Sequence, residues 1–450
     1  MLSREQNDLV TQTGPGTPAG RLLRRYWQPV ALSEELVVER PLTGVSVLGE
    51  RLVLFRDEQG RLGLIDRHCA HRGADLCYGR LEDGGVRCPF HGWLFDVAGD
   101  CLEQPGEPEG STYSDHVHAK AYPCVERNGI VFAFMGEGQA PGLDRMDCFE
   151  APEEYTFAFK GYLECNWLQA LEVGIDPAHA SFLHRYFEAG DPGRTYGQQF
   201  RDTVGEESVP MTTLLREYPR PEINVDRTGY GLRIRAIRDL ADGRRHVRVT
   251  NQLFPQAICI PMSSEMTITQ WHVPVDDTHC YWYALFTSFK NPTDKATMRS
   301  QRLELYELPH YLARQNKQND YGYDPEEQRT RTYTGMGDDI NVHDQWAVES
   351  MGAIQDRTRE HLGRTDAAIR EYRRLLLETI ADLEAGRSSA GVGHTTQRFG
   401  PEAVDAISQG ANWQEQWREL DRERRTRSPW NASLAASAAI EKTGTDHGRN

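Results

Sequence analysis

The sequence predicts an α+β protein: a small all-β domain followed by a larger domain whose antiparallel sheet is flanked by helices. Three observations predict it. From about residue 45 to 136, short β-rich runs such as VSVLG, RLVLFRD, RLGLID and GIVFAFMG are separated by Gly, Asp and Glu clusters, the texture of short strands and tight turns. Further on, GYGLRIRAIRDL, HVRVTNQLFPQAICIP, MTITQWHVPV and CYWYALFTSF alternate apolar and polar residues, which predicts antiparallel strands with one covered face. Helical spacing is clearest in DAAIREYRRLLLETIADLEAG, residues 366–386, where an apolar stripe stops at Gly386.

At 450 residues the chain is too long for one simple core, and its texture divides it into four segments. Residues 1–43 form an N-terminal helical segment packing on the later domain; within it GPGTPAGRLLRRYWQPVAL reads as a turn and a short helix ending before Pro29. Residues 44–145 form the all-β domain, with hairpin turns at DEQG (57–60) and EDGG (82–85). QAPGLDRMDCFEAPEEY, near 139–155, reads as a linker into the sheet domain, 146–410. Residues 295–340 are polar and read as loop or short helix. Residues 411–450 read as a charged helix and a disordered tail, with little to bury beyond Ser428.

Composition narrows the function classes. Lys plus Arg is 51 against 67 Asp plus Glu, a net charge of −16, which argues against a nucleic-acid or anionic-membrane surface. MLSREQNDLVTQTG carries no signal-peptide pattern, and no run approaches a membrane helix, so the expected location is cytoplasmic. The cysteines number nine, an odd count that points to free thiols plus a few metal ligands.

Two stretches carry chemistry. RHCAHRGADLCYGRLEDGGVRCPFHGW contains Cys69-x-His71, then Cys88-x2-His91. Two thiolates and two imidazoles suit a structural zinc site, unrelated core packing, or a Rieske [2Fe–2S] centre with two Cys on one iron and two His on the other. Each loop offers one Cys and one His, so each iron can draw one ligand from each loop. Cys77 and Cys101 are off this pattern and read as buried thiols.

The second stretch, NWLQALEVGIDPAHASFLH, runs from Asn166 to His184. On one continuous helix, at about 100° per residue, His179 and His184 point roughly 140° apart and cannot share an ion. Gly174, Asp176 and Pro177 predict helix, break, helix, with both histidines near the break.

The C-x-H-x16-C-x2-H pattern resembles the Rieske family. Asp176-x2-His179-x4-His184, with Glu172 before it and Asn166-Trp167 ahead, resembles the oxygenase component of Rieske non-haem iron oxygenases. The resemblance spans roughly residues 14 to 390. It implies a [2Fe–2S] cluster on Cys69, His71, Cys88 and His91, and a mononuclear Fe(II) on His179, His184 and a carboxylate. It implies that Asp176 accepts hydrogen bonds from a ligating histidine and from His71 or His91 of a neighbouring subunit, in a homotrimer or hexamer. For the third ligand the family places a carboxylate at a helix start with Glu about five residues on. Asp344 with Glu349 fits, Asp356 is the main rival, and Asp366 is also in range.

GPGTPAG, QRTRTYTGMGDDI and ESMGAIQDRTREHLG look most like the phthalate dioxygenase group. That likeness implies O2 and an aromatic carboxylate as substrates, dihydroxylation as the reaction, and monooxygenation or O-demethylation as the alternative. No G-x-G-x-x-G occurs, so electrons from NAD(P)H are expected through a separate flavin/iron–sulfur reductase. A substrate carboxylate wants a guanidinium. On RIRAIRD, Arg233 and Arg235 point one way and Arg238 the other; Arg238 is the expected clamp, with Arg201 and Asn166 as further substrate contacts. A Rieske electron carrier without oxygenase activity is the non-enzyme alternative.

Overall fold

A computed structural model describes residues 1–37, 41–187, 211–387, 400–410 and 412–431. Helix α1 (Arg4–Thr11) starts at a Ser3–Gln6 capping box, and α2 (Pro18–Leu23) has Thr17 as its cap and proline in its first turn. Strand β1 (Trp27–Leu32) follows. The first β-domain holds β2 (Leu42–Val47), β3 (Glu50–Arg56) and β4 (Leu62–Asp66) as one antiparallel sheet. It also holds β5 (Arg80–Glu82), β6 (Gly85–Arg87), β7 (Leu94–Asp96) and β8 (Cys101–Glu103) as another. Both expected hairpin turns are present: Gly60 in the first, Asp83 and Gly84 in the second, all take positive φ. Strands β9 (Cys124–Arg127) and β10 (Ile130–Phe134) bring the chain back beside β1.

The segment near 139–155 is more than a linker. Its short helix α3 (Asp147–Glu150) buries Met146, Cys148 and Phe149, and Asp147 pairs with Arg425. Strand β11 (Thr156–Leu163) then opens the large sheet, followed by α4 (Trp167–Gly174), α5 (Ala180–Leu183) and α6 (Met211–Glu217). The sheet continues with β12 (Glu222–Thr228), β13 (Gly231–Asp239), β14 (Arg245–Leu253), β15 (Ala257–Pro261), β16 (Met266–Pro274) and β17 (Cys280–Ser288). Its order is β11-β17-β16-β15-β14-β13-β12, antiparallel throughout, and a strand at Val404–Ser408 pairs with Arg245–Val249 of β14. Helices α7 (Lys295–Leu305), α8 (Pro325–Thr330), α9 (Ile340–Ser350), α10 (Ala367–Glu384) and α11 (Trp413–Arg427) complete the described chain.

The expectation of one covered face needs correction, because β16 and β17 are buried almost without interruption. One face meets α4; on the other, Trp271 stacks on Phe149 of α3 and meets Phe132 of β10 edge-on. A fully buried Trp417 on α11 covers Ile237, Val247 and Val249 on that second face. A second correction concerns the tail. Trp430 is buried against Phe289 and donates to the Ser288 carbonyl at 2.8 Å, so the chain beyond Ser428 is anchored at least that far. Residues 432–450 lie outside the described residues.

Candidate metal centres and active-site cavity

The two loops of the first constellation share one local design. Gly73 N–H donates to the Cys69 carbonyl and Gly92 N–H to the Cys88 carbonyl, at 2.8 and 2.9 Å. Both glycines sit at positive φ, 80° and 77°, so each loop turns back on its own cysteine at a conformation glycine adopts without strain. Both Cys side chains are buried. The His71 and His91 rings are 4.4 Å apart, and His71 stacks on Trp93. His71 Nδ1 is buried with no hydrogen-bond partner among the described residues, which leaves a lone pair for a metal. Arg67 grips Asp75 at 2.7 and 2.9 Å and holds its carboxyl down at about 2, bracing the first loop. Cys77 and Cys101 are buried thiols.

The second constellation resolves the geometry of the splayed histidines. Asn166 caps α4, which ends at Gly174; His179 precedes the one-turn α5 and His184 follows it. The break brings their rings to 5.2 Å, edge to face. Helix α9 delivers Asp344, whose Oδ1 stands 3.7 Å from His179 Nε2 and 3.3 Å from His184 Nε2. The three ligand atoms lie within 4.8 Å of one another. Asp344 Oδ1 is buried without a hydrogen-bond partner among the described residues, and burial pushes the carboxyl up to about 6. A divalent cation would satisfy that oxygen, and two imidazoles with one carboxylate is a donor set for Fe(II) with open positions.

Hydrogen bonds fix which nitrogens face the triangle. His179 Nδ1 lies 2.5 Å from the Asp176 carbonyl, so it carries the proton and Nε2 is a lone-pair donor. His343 Nε2 lies 3.0 Å from the Gly337 carbonyl and therefore donates; its Nδ1 then accepts from His184 Nδ1–H at 3.3 Å. His184 is thereby left presenting Nε2. This relay through His343 was not anticipated from the sequence.

Asp176 differs from expectation in one respect: its backbone carbonyl, not its carboxylate, meets His179. The turn at Pro177 places that carbonyl over the ring three residues on, while Oδ1 accepts from Ala178 N–H at 2.9 Å. Asp176 lines both the cavity beside the triangle and an open surface cavity of about 860 Å³. Asp356 lies apart from the triangle, its carboxylate accepting from Thr358 and pairing with exposed Arg4. Glu349 instead accepts from Glu164 N–H and the Tyr321 hydroxyl, and Asp366 from Gly363 N–H.

A cavity of about 110 Å³ lies between the triangle and the sheet. Strand register puts Ala236, Arg248, Thr250, Ile258, Gln270, His272 and Trp282 on the sheet face that lines it. Gly161, opposite Trp282, leaves room for the indole: a Cβ there would stand 2.5 Å from the ring. Arg238 is on the same face, one step beyond Ala236 and behind Pro177. It is 1 % exposed, Nε donates to the Tyr218 carbonyl at 2.9 Å, and Nη2 reaches Ser181 Oγ at 3.4 Å. Nη1 is buried without a partner, no carboxylate pairs with the side chain among the described residues, and burial pushes its pKa down to about 10. Arg248, by contrast, pairs with Asp405. Arg233 and Arg235 pair with Glu402 and Asp226 on the far face.

Asn166 is not a substrate contact. Its amide is fully buried and bonds the Thr11 and Asp277 carbonyls while its oxygen caps Leu168, because the start of α4 must be tied to the N-terminal segment. Arg201 lies outside the described residues. Sequence reasoning missed Arg248, Thr250, Gln270 and His272; the signal was there, as polar residues two apart within otherwise apolar strands.

A family model for the Rieske [2Fe-2S] domain matches residues 26–123, and one described as LigXa C-terminal domain like matches residues 133–440. The chain is 35% identical over 412 residues to the phthalate 4,5-dioxygenase oxygenase subunit of Pseudomonas putida, covering 87% of this chain and 89% of that one. It is also 35% identical to the phenoxybenzoate dioxygenase subunit alpha of Ectopseudomonas oleovorans (85% and 87% covered). To the tert-butanol monooxygenase / tert-amyl alcohol desaturase oxygenase subunit of Aquincola tertiaricarbonis it is 32% identical (83% and 76% covered). Among solved structures it shares the fold of Pseudomonas putida CBB5 NdmB, with a TM-score of 0.55 at 20% identity, covering 86% of this chain and 97% of that one. With the two family models matching residues 26–123 and 133–440, a relative 35% identical over most of both chains and the donor sets in place, the chain belongs to the Rieske oxygenases, oxidoreductases that carry a Rieske [2Fe–2S] cluster and a mononuclear iron and take their electrons from a separate reductase.

Proposed function

We propose that this protein is the oxygenase component of a system that uses O2 to oxidise an aromatic acid, dihydroxylation being the first reading. The observation that carries the substrate class is Arg238: a buried guanidinium directly behind Pro177 of the cavity lining, with a bare Nη1 and no carboxylate partner among the described residues. A buried charge in that state favours an anionic ligand, and a ring carboxylate would supply it. The apolar faces of Ile258, Leu163 and Trp282 suit the ring itself. A cavity on the order of 150 Å³ takes up benzene, so this one, about 110 Å³, admits a single substituted ring only as its walls give way.

In this reading Cys69, His71, Cys88 and His91 hold the cluster, and His179, His184 and Asp344 hold the iron. When bound, Fe(II) there supplies open coordination positions for O2 beside the ring. The chain's own part is to present both Nε2 atoms, through the Asp176 carbonyl and His343, and to keep water off the ring with the sheet face and α4. Asp176, lining both cavities, is the proposed junction to the cluster of a neighbouring subunit in a homotrimer or hexamer. Support comes from exposed Phe90, next to His91, and exposed Tyr78 on the facing loop. No described helix is long and apolar enough to cross a membrane; the cytoplasmic location belongs to this reading and is supported by nine cysteines with no disulfide among them.

The test is oxygen uptake by the reconstituted system with benzoate- and phthalate-type acids. Arg238→Met is expected to raise KM for acids by tenfold or more, the order expected for a charge-assisted contact, with little effect on uncharged rings. Equal effects on both would overturn the reading. O-demethylation or monooxygenation on the same centres is the second reading, favoured by the uncharged polar groups on the sheet side of the cavity.

A further inference from the structure

The sheet wall of the cavity carries three polar side chains that the reaction as described does not use. Thr250 lies on β14, two residues from Arg248; Gln270 and His272 lie two apart on β16, with Gln270 opposite Ile258 of β15. All three line the cavity. Thr250 and His272 are more than nine-tenths buried, at 8% and 3% exposure. None of the three side chains makes a hydrogen bond to another described residue, and His272 Nδ1 is fully enclosed without a partner. Buried polar groups left as Thr250 and His272 are cost stability unless something else completes them, and with half-buried Gln270 beside them on one cavity they point to a ligand.

The chemistry of that ligand follows from charge. Burial pushes the His272 imidazole down to about 3, so it is neutral and offers one donor and one acceptor. A hydroxyl, a primary amide and a neutral imidazole are all uncharged. The cation on this wall, Arg248, is already matched by Asp405, which His246 also contacts at 3.1 Å, while Arg248 donates to the Pro261 carbonyl at 3.0 Å. A carboxylate set against the β14 and β16 part of this wall would be buried with its charge largely uncompensated. A hydroxyl or ether oxygen would be met by donors it can use.

Resting on the aromatic-acid reading above, we propose that Thr250, Gln270 and His272 recognise an uncharged oxygen substituent on the ring, so that the substrate is a hydroxy- or alkoxy-substituted benzoate and not a ring dicarboxylate. The carboxylate lies toward the β13 end of this face, where Arg238 stands behind Pro177, and the second oxygen lies toward Thr250, Gln270 and His272 on β14 and β16.

The experiment is anaerobic calorimetric titration of the metal-loaded protein with benzoate, the three phthalates, and the hydroxy- and methoxybenzoates. At least one hydroxy or methoxy isomer is expected to bind about tenfold tighter than benzoate, the effect of one well-made hydrogen bond, and tighter than every phthalate. In a Thr250→Val/Gln270→Met double variant, near-isosteric and checked for its cluster spectrum, that ratio is expected to fall to about twofold or less. A phthalate as the tightest ligand, or a ratio kept in the double variant, overturns the proposal. If no carboxylated ring binds, or Arg238→Met binds them equally well, the aromatic-acid reading fails separately. The wall is then judged on phenol and anisole against toluene: a tenfold preference lost in the double variant upholds it, and equal binding refutes it.

Discussion

Asp344 stands against two imidazole nitrogens, and Asp356 against Thr358 and Arg4, so removing each has a different result. Asp344→Ala is expected to lose the mononuclear iron and keep the cluster, taking the metal from about three irons per chain to about two. Asp356→Ala is expected to keep all of it, as metal analysis of the two purified proteins will show. His343 acts through His184: it accepts the Nδ1 proton only because its own Nε2–H is committed to Gly337. His343→Phe is expected to weaken iron binding by about 10- to 100-fold, the usual effect of removing a partner of a metal ligand. His343→Gln keeps an acceptor and is expected to recover part of that loss. Unchanged iron affinity in the Phe variant would dismiss the relay. The cysteines and histidines of both constellations were legible in the sequence because ligand spacing is local. His343 was not, since its role depends on the approach of α9 to the break between α4 and α5.

Helix α4 is fixed by charge as well as by its cap. Glu172 is buried between Arg357, at 3.0 Å, and Arg373, at 2.5 Å, which also pairs with Glu360. Burial opposes its ionisation, yet the two guanidiniums hold its carboxyl below the usual glutamate range. Glu172→Ala leaves two buried cations short of a partner and is expected to cost about 3–5 kcal/mol, read as a lowered unfolding midpoint. The pH dependence has a definite sign. A carboxyl whose folded pKa is depressed contributes stability that is present above the unfolded value, about 4.3, and lost as pH falls through the folded one. Thermal unfolding of the wild type is therefore expected to drop more steeply below about pH 4.3 than that of Glu172→Gln, and parallel curves would count against the ion pair. At this scale the sequence was read well for hairpins and for the helix break, whose turn and cap residues act locally. It was read poorly for the sheet, because Trp271 is polar-flanked in sequence but meets Phe132 and Phe149 across the fold. The same non-locality hid the cavity wall: which face of β14 and β16 meets α4 is set by register and not by composition.

Over the whole molecule, the cluster loops and the iron triangle belong to separate parts of the chain. Cys69, Cys88 and Trp93 belong to their own small core, while α4 and the sheet share a larger one with α2, β1 and β10. The proposed route, in which electrons enter from a second copy through Asp176, is tested at this scale. Asp176→Asn is expected to keep both metals and lose most turnover. Co-expression of Cys69→Ser and Asp344→Ala chains, each inactive alone, is expected to restore activity in mixed oligomers, and no recovery would place transfer within one chain. All of this depends on two iron centres occupying the two donor sets. The most direct measurement is electron paramagnetic resonance of the dithionite-reduced protein together with iron and zinc analysis. The result expected is a Rieske-type signal with about three irons per chain. Zinc at the first site with no such signal would contradict it, because the oxygenase would then have no source of electrons.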